Sequence, residues 1–239
     1  MSTVSKEDFF NRKWTLDYPE LGTDPVSTEP YLSEEYFELE KKAVFKSSWL
    51  NVGRVEQIPE EGDYFTKEIS VCNTSLIIVR DNHRAIKAFH NVCRHRSNQL
   101  VWDDKGRCSS FRCKFHGWNY DLSGDLKFVS DKDRFYGLRE EKMGLVPAHV
   151  DVWNGFIFVN LSEKPEEGLE EYLGELGERL KNFPFEQMET NYCYRAVLDS
   201  NWKNAVHAYN ELYHLGFVHK ETGGTSMVGR ENMFGRPIW

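Results

Sequence analysis

The chain has 239 residues, of which 40% are hydrophobic and 28% are charged, as is usual for a folded globular protein. A chain of this length forms one large domain or two unequal ones. Its 30 Lys and Arg residues against 38 Asp and Glu residues give a formal net charge of −8. This acidic balance argues against nucleic acid or an anionic membrane as the main partner.

The sequence shows no segment of the kind that targets a protein to a membrane or out of the cell. No apolar run approaches the roughly 20 residues of a membrane-spanning helix, and no basic stretch followed by an apolar one opens the chain. Five cysteines in a chain without such a leader favour a reducing compartment over a disulfide framework. We therefore expect a cytoplasmic protein that does not bind a membrane.

The first part of the chain predicts an arm followed by one helix. Residues 1–30 are polar and contain three prolines, which favours an extended arm. Ser33 is a suitable N-cap for a helix over 34–48, whose first turn is acidic and whose later turns carry lysines. Residues 1–49 are thus predicted to be a helical arm.

From Trp49 onward, short runs rich in β-branched and aromatic residues predict a small antiparallel β domain over 50–160. Asp81-Asn82-His83 predicts the turn of a hairpin. The predicted strands are 49–55, 64–69, 75–80, 86–92, 111–113, 117–120 and 155–160.

Helical patterning returns over 161–239, the third predicted domain. A helix over 166–181 would place five apolar residues on one face. A strand is predicted over 192–198 and a second helix over 201–215, with Gly216 near its end. The five apolar residues of the first helix are Leu169, Tyr172, Leu173, Leu176 and Leu180.

Two short motifs inside the β domain combine cysteine and histidine. Cys93-x-His95 is followed, after seventeen residues, by Cys113-x-x-His116. A zinc finger usually holds both cysteines in one half and both histidines in the other. One Cys and one His in each motif instead suits a [2Fe–2S] cluster with one all-cysteine iron and one all-histidine iron. A zinc-stabilised binding module is the alternative.

A second group of candidate ligands lies on and just after the helix predicted over 201–215. Glu211 and His214 are three residues apart and share a helix face, and His207 lies on the same side. His219 follows Gly216, where the chain can bend. Two histidines and one carboxylate form the facial triad of non-haem Fe(II) oxygenases. This pattern suits a mononuclear Fe(II) site, and an ordinary polar helix face is the alternative.

Both groups of residues resemble the large (alpha) subunit of Rieske ring-hydroxylating oxygenases. The first motif pair, continued by Gly117-Trp118, is similar to the Rieske motif of that family in ligand type, order and spacing. The resemblance implies an α+β fold. In it, a Rieske antiparallel β domain, like that of Rieske iron–sulfur proteins, is inserted in a helix-plus-antiparallel-sheet catalytic domain.

The segment Asn201-Trp-Lys…Glu211-Leu-Tyr-His214…His219 resembles the iron-binding stretch of the same family. The resemblance implies that His214 and His219 bind the iron. It also implies that Glu211 acts as a catalytic carboxylate, carrying electrons from a Rieske histidine of the neighbouring subunit. Ring dioxygenases usually have Asp at this position, whereas Glu occurs in oxygenases of quaternary ammonium compounds.

The resemblance implies a terminal oxygenase that receives electrons from NAD(P)H through a reductase, a ferredoxin or both. With O₂ it would hydroxylate an aromatic or other apolar small molecule. Dihydroxylation is the first expectation, and monooxygenation ending in demethylation is the alternative. The family assembles as a homotrimer or as α3β3 with a small beta subunit. A Rieske electron carrier without oxygenase activity is the rival hypothesis.

Two further observations concern the end of the chain and the surroundings of the Cys/His motifs. The family's third iron ligand is an Asp far downstream, and the chain reaches Trp239 before it, so we expect a truncated alpha subunit, with a natural short form as the alternative. Four cations flank the Cys/His motifs and would suit docking of an acidic ferredoxin or reductase, with plain solubility as the alternative. These cations are Arg94, Arg96, Arg112 and Lys114.

Overall fold

The computed structural model describes residues 27–188, 195–210, 214–219 and 221. The chain divides into two compact units. The β unit is Glu38–Tyr192, and the terminal unit combines Met1–Phe37 with Cys193–Trp239. Within the described ranges, no helix combines the length and the apolar character needed to cross a membrane.

Two antiparallel sheets form the body of the β unit. The larger has seven strands in the order β1-β10-β9-β4-β3-β2-β5, and the smaller has three in the order β6-β7-β8. In chain order, the strands are β1 (Leu50–Arg54), β2 (Asp63–Ile69), β3 (Thr74–Arg80), β4 (Ile86–His90), β5 (Lys105–Arg107), β6 (Phe111–Arg112), β7 (Asn119–Tyr120), β8 (Leu126–Phe128), β9 (Pro147–Trp153) and β10 (Phe156–Asn160).

The hairpin predicted around residues 81–83 joins β3 to β4. The buried carboxylate of Asp81 accepts hydrogen bonds from the backbone N–H groups of His83 and Ala85, both at 2.9 Å. This side chain therefore closes the turn locally. The register that follows pairs Leu76 with His90 and sets where β4 ends, next to the first Cys/His motif.

Strand β3 is buried on both faces and divides the core of the β unit in two. Ile77 and Val79 pack into a cluster that also contains the two motif cysteines. Leu76 and Ile78 point to the opposite face and pack with residues of β1, β2 and β10. Because side chains alternate along a strand, one continuous apolar run supplies both cores. The first core fixes the floor of the motif loops.

A helix lies where one was predicted over 34–48, but it is not a single regular α-helix. The structure has α1 (Glu29–Leu32), α2 (Glu34–Glu40) and a π-helical turn over Lys41–Phe45. The Ser33 hydroxyl accepts a hydrogen bond from the backbone N–H of Tyr36, as expected of an N-cap.

The helix predicted over 166–181 is α3 (Leu169–Leu180), and its predicted apolar face is wrong. Gly174 has φ 48° and ψ −134° and interrupts the helix. Residues on the two sides of this break no longer share one helix face, so Leu169 is buried whereas Leu176 is 62% exposed. A glycine adopts such a backbone conformation at little cost, which is why the break falls there.

Other predicted elements differ in extent. Strands β5, β8 and β9 were not predicted, since β5 is exposed throughout and β9 begins with a proline. Residues 195–198 of the strand predicted over 192–198 form no regular structure, and 192–194 lie outside the described residues. The helix predicted over 201–215 is α4 (Trp202–Asn210) followed by α5 (Leu215–Val218), and 211–213 lie outside the described residues.

Candidate metal centres

The first Cys/His motif lies in a tight loop just after β4. The backbone N–H of Cys93 donates to the Asn98 carbonyl at 2.8 Å, and the N–H of Ser97 donates to the Cys93 carbonyl at 3.0 Å. Ser97 has φ 54°, in the left-handed region. Asn91, which is buried, ties this loop to the following segment, because its side-chain oxygen accepts the N–H of Val101 at 2.8 Å.

The second motif forms the same turn between β6 and β7. The N–H of Cys113 donates to the Trp118 carbonyl at 2.8 Å, and the N–H of Gly117 donates to the Cys113 carbonyl at 2.9 Å. Gly117 has φ 73° and occupies the position that Ser97 holds in the first loop. Each cysteine thus begins an equivalent loop, and each loop carries one histidine.

The two loops bring the predicted cluster ligands together. Cys93 and Cys113 are both 2% exposed, and the His95 and His116 ring centroids lie 4.7 Å apart. Burial of the imidazole lowers the pKa of His95, and the nearby His116 and Arg96 lower it further. The neutral form of His95, which binds metals, is therefore favoured.

The residues present fit a bound [2Fe–2S] cluster. Among the described residues, His95 Nδ1 is buried without a hydrogen-bond partner, which is costly unless another group meets it. Burial also raises the pKa of the Cys93 thiol, and the neighbouring Cys113 adds to this effect. An iron at the sulfur would replace that thiol proton, and the second iron of the cluster would meet His95 Nδ1.

The geometry also bears on the zinc alternative. In the described part of the chain, no three His, Cys, Asp or Glu residues converge as they would around one metal ion. A cluster that takes two protein ligands at each iron does not require such a convergence. The two buried cysteines and the two adjacent histidines match the two protein ligands that each iron of such a cluster takes.

Sequence reasoning missed the residues that surround these ligands. The Tyr120 hydroxyl lies 3.3 Å from Cys93 Sγ, and Asn98 Nδ2 lies 3.8 Å from Cys113 Sγ. Trp118, 1% exposed, stacks on His95 with 4.8 Å between centroids and 6° between planes. Phe135 meets the edge of that pair, 5.6 Å from the His95 ring. Of these, only Trp118 was part of the quoted motif.

The rim of the two loops is basic and partly apolar. The four cations predicted to flank the motifs all have exposed side chains, and Phe115 is 59% exposed between two proposed ligands. The Arg112 guanidinium lies 5.9 Å from the centre of the Phe128 ring. This surface carries positive charge next to the histidine edge of the site.

The predicted iron ligands are described in part. His214 and His219 lie at the two ends of α5, and their ring centroids are 5.4 Å apart. His214 is half-buried and His219 is exposed. One helical turn thus brings both imidazoles within reach of one ion, which fits a mononuclear iron. Glu211, the predicted catalytic carboxylate, lies outside the described residues.

Two family models match the chain. The Rieske [2Fe-2S] domain matches residues 48–141, and the ring hydroxylating alpha subunit (catalytic domain) matches residues 185–236. Together with the sheets and helices above, these matches confirm the predicted α+β fold class, a Rieske β domain with a catalytic domain of helix and antiparallel sheet.

The chain is also similar to individual proteins. It is 33% identical over 192 residues to the glycine betaine monooxygenase oxygenase subunit of Chromohalobacter salexigens, covering 80% of this chain and 42% of the relative. It is 34% identical over 212 residues to the 2-aminobenzenesulfonate 2,3-dioxygenase subunit alpha of Alcaligenes sp., covering 85% of this chain and 52% of that relative. A crystal structure of a quaternary ammonium Rieske monooxygenase has a TM-score of 0.77 at 28% identity, covering 83% and 56%. The chain thus spans about half the length of these proteins.

Proposed function

Because the chain belongs to the ring-hydroxylating oxygenase family of Rieske proteins, we propose that it acts as a terminal oxygenase component. The observation that carries this proposal is the pair of equivalent loops that bring two buried cysteines and two histidines together. When bound, the [2Fe–2S] cluster would supply one-electron storage, and a mononuclear iron would supply the oxygen chemistry.

We assign each predicted ligand a role. Cys93 and Cys113, as buried thiolates, would hold one iron of the cluster. His95 and His116, at the more accessible side of the loops, would hold the other. Neutral imidazoles in place of two thiolates lessen the negative charge of the centre and raise its reduction potential.

His214 and His219 would hold the mononuclear iron, and Glu211 would carry electrons to that site. Glu211→Ala is expected to leave both metals bound and to stop turnover, because the carboxylate connects the centres without holding either. Normal turnover of this variant would refute the role of Glu211.

The exposed cations beside the motifs would dock the electron donor, an acidic ferredoxin or an NAD(P)H-dependent reductase. Opposite charges steer encounter, and salt screens them over about 10 Å at 0.1 M. Reduction of the cluster should therefore slow with added salt. An Arg94→Gln, Arg96→Gln double variant should show a weaker salt dependence, with Arg112 and Lys114 accounting for the remainder.

Two reactions compete for the substrate step. Monooxygenation of a small quaternary ammonium compound is supported by the glycine betaine relative and by the solved quaternary ammonium monooxygenase. Dihydroxylation of an aromatic ring is supported by the 2-aminobenzenesulfonate dioxygenase relative. Turnover assays with glycine betaine, carnitine and substituted benzenes, each with product analysis, separate the two.

We further propose a homotrimer, or α3β3 with a small beta subunit, in a cytoplasmic setting. One solved relative is described as showing inter-subunit electron transfer. The four cysteines in the described ranges are all free, in keeping with a reducing compartment. Analytical ultracentrifugation of the purified protein, alone and with a candidate beta subunit, tests the assembly.

The first experiment is an anaerobic purification followed by metal and sulfide analysis. Three irons and two acid-labile sulfides per chain, with a Rieske-type EPR signal after reduction, are expected. Two irons and two sulfides would favour the electron carrier that lacks the mononuclear site. Zinc without sulfide would refute both iron proposals.

A further inference from the structure

Tyr31 lies at the centre of a set of contacts between α1 and the segment that begins α4. Its backbone carbonyl accepts a hydrogen bond from Asn201 Nδ2 at 3.1 Å. Its hydroxyl lies 3.2 Å from Nδ1 of His207, within hydrogen-bond distance. Its ring centre lies 5.3 Å from the Lys203 ammonium. Tyr31 thus contacts two residues of α4 and the residue that precedes it, through its backbone carbonyl, its ring and its hydroxyl.

The Lys203 ammonium is shared among three aromatic rings. It lies 5.3 Å from the Trp202 ring centre and 5.6 Å from that of Tyr36, in addition to Tyr31. A cation within about 6 Å of a ring centre is attracted by the negative face of the ring. We call Tyr31, Tyr36, Asn201, Lys203 and His207 the clasp.

None of the nine residues of helix α4 is buried, and an isolated helix shorter than about 12 residues is marginal in water. Directional contacts therefore decide where α4 lies and how it is rotated. Contacts that run from Asn201 to His207 cover nearly two helical turns and fix both.

We propose that Tyr31 is a positioning residue for the iron segment, acting through α4. The described part of α4 reaches Asn210, four residues before His214, so the clasp limits where the two candidate iron ligands can lie. A residue far away in sequence would in this way set the geometry of the mononuclear site. The inference rests on the proposed function for its iron, whereas the clasp itself stands on the contacts described.

Three variants of the full chain test the proposal. Tyr31→Leu removes the ring and the hydroxyl, and Tyr31→Phe removes the hydroxyl alone while it keeps the ring beside Lys203. Tyr209→Leu is the matched control, since Tyr209 lies on α4 but is 86% exposed. The visible absorption of the cluster reports in each case whether the β unit has folded.

Two readouts are measured. Amide hydrogen exchange in residues 202–210 should be fastest in Tyr31→Leu, intermediate in Tyr31→Phe, and equal to the parent rate in the control. Anaerobic equilibrium dialysis should show Fe(II) bound about tenfold more weakly by Tyr31→Leu, the low end of the effect of groups that orient metal ligands. A tyrosine that merely adds bulk would not give this graded order.

The outcomes separate the inference from the proposed function. Unchanged exchange in Tyr31→Leu overturns the clasp, whatever the parent protein binds. Faster exchange with unchanged Fe(II) affinity overturns the positioning role and leaves the proposed iron site intact. If Tyr31→Leu exchanges faster but the parent protein binds no mononuclear iron, both the proposed iron site and the positioning role are overturned. Only the clasp then remains.

Discussion

The Tyr120 hydroxyl lies 3.3 Å from Cys93 Sγ and also accepts a hydrogen bond from the Arg94 backbone N–H at 3.1 Å. A cysteine that binds metal as a thiolate has no proton to donate, so the hydroxyl would be the donor toward the sulfur. Burial raises the pKa of Tyr120, so the hydroxyl keeps its proton at any working pH. Strand β7 thus supplies a hydrogen-bond donor aimed at a proposed cluster ligand.

Tyr120→Phe is expected to assemble the cluster and to lower its reduction potential. A donor to sulfur stabilises the reduced, more negative centre, so its loss favours the oxidised form. If the hydrogen bond stabilises the reduced cluster over the oxidised cluster by about 1.4 kcal/mol, its loss lowers the reduction potential by about 59 mV for a one-electron couple. Redox titration followed by EPR measures the shift.

The matched control for this variant is Tyr136→Phe, because Tyr136 is 98% exposed in the loop after β8. It removes a hydroxyl without touching the site. A potential that falls as far in Tyr136→Phe, or that stays constant in Tyr120→Phe, would show that this hydrogen bond does not tune the cluster.

Cys113→Ala and Cys108→Ala should differ sharply in cluster content. Cys113 is a proposed ligand, and its loss is expected to abolish the Rieske EPR signal and the acid-labile sulfide. Cys108 packs against the same core from a half-buried position and is not a proposed ligand. Its replacement should cost stability of about 1 kcal/mol and leave the cluster in place. Loss of sulfide in both variants would assign the effect to folding instead of ligation.

Sequence patterns predicted the parts of the molecule that depend on local chemistry. The hairpin turn at Asp81 and the Ser33 cap are formed by contacts within a few residues, and both were predicted. The two motifs were also readable, because ligand type and spacing are local features. The α+β class followed from the resemblance that these motifs carry.

Other parts depend on contacts between distant residues, which no local pattern reports. Tyr120 reaches Cys93 across 27 positions, and Tyr31 reaches His207 across 176. The break at Gly174 was missed because the apolar periodicity continues through it. Strand β5 was missed because its three exposed residues gain their hydrogen bonds only from β2.

His214→Ala should spare the cluster and remove the mononuclear iron. The two centres use different residues, in separate units of the chain. Iron content is expected to fall from three to two per chain with sulfide unchanged, and turnover should stop. Phe217→Leu keeps an apolar side chain in α5 and is the control for disturbance of that helix. An unchanged iron content in His214→Ala would exclude this histidine as a ligand.

The acid stability of the β unit should depend on His90. This residue ends β4, and its backbone N–H donates to the Val146 carbonyl at 2.9 Å. Burial lowers the pKa of His90 below its usual value because the charged imidazolium is poorly solvated there. As the pH falls below about 6.5, the unfolded chain therefore takes up this proton before the folded chain does.

The contribution of neutral His90 to the free energy of unfolding is fully present above the pKa of His90 in the unfolded chain. It is lost as the pH falls through the lower pKa of His90 in the folded protein. His90→Gln removes the titration while it keeps the strand hydrogen bond, so the slope of melting temperature against pH between pH 7 and 5 should become shallower. His83→Gln removes an exposed imidazole from the adjoining turn and controls for the loss of a histidine as such. If His90→Gln kept the slope of the parent protein, another group would have to cause the acid sensitivity.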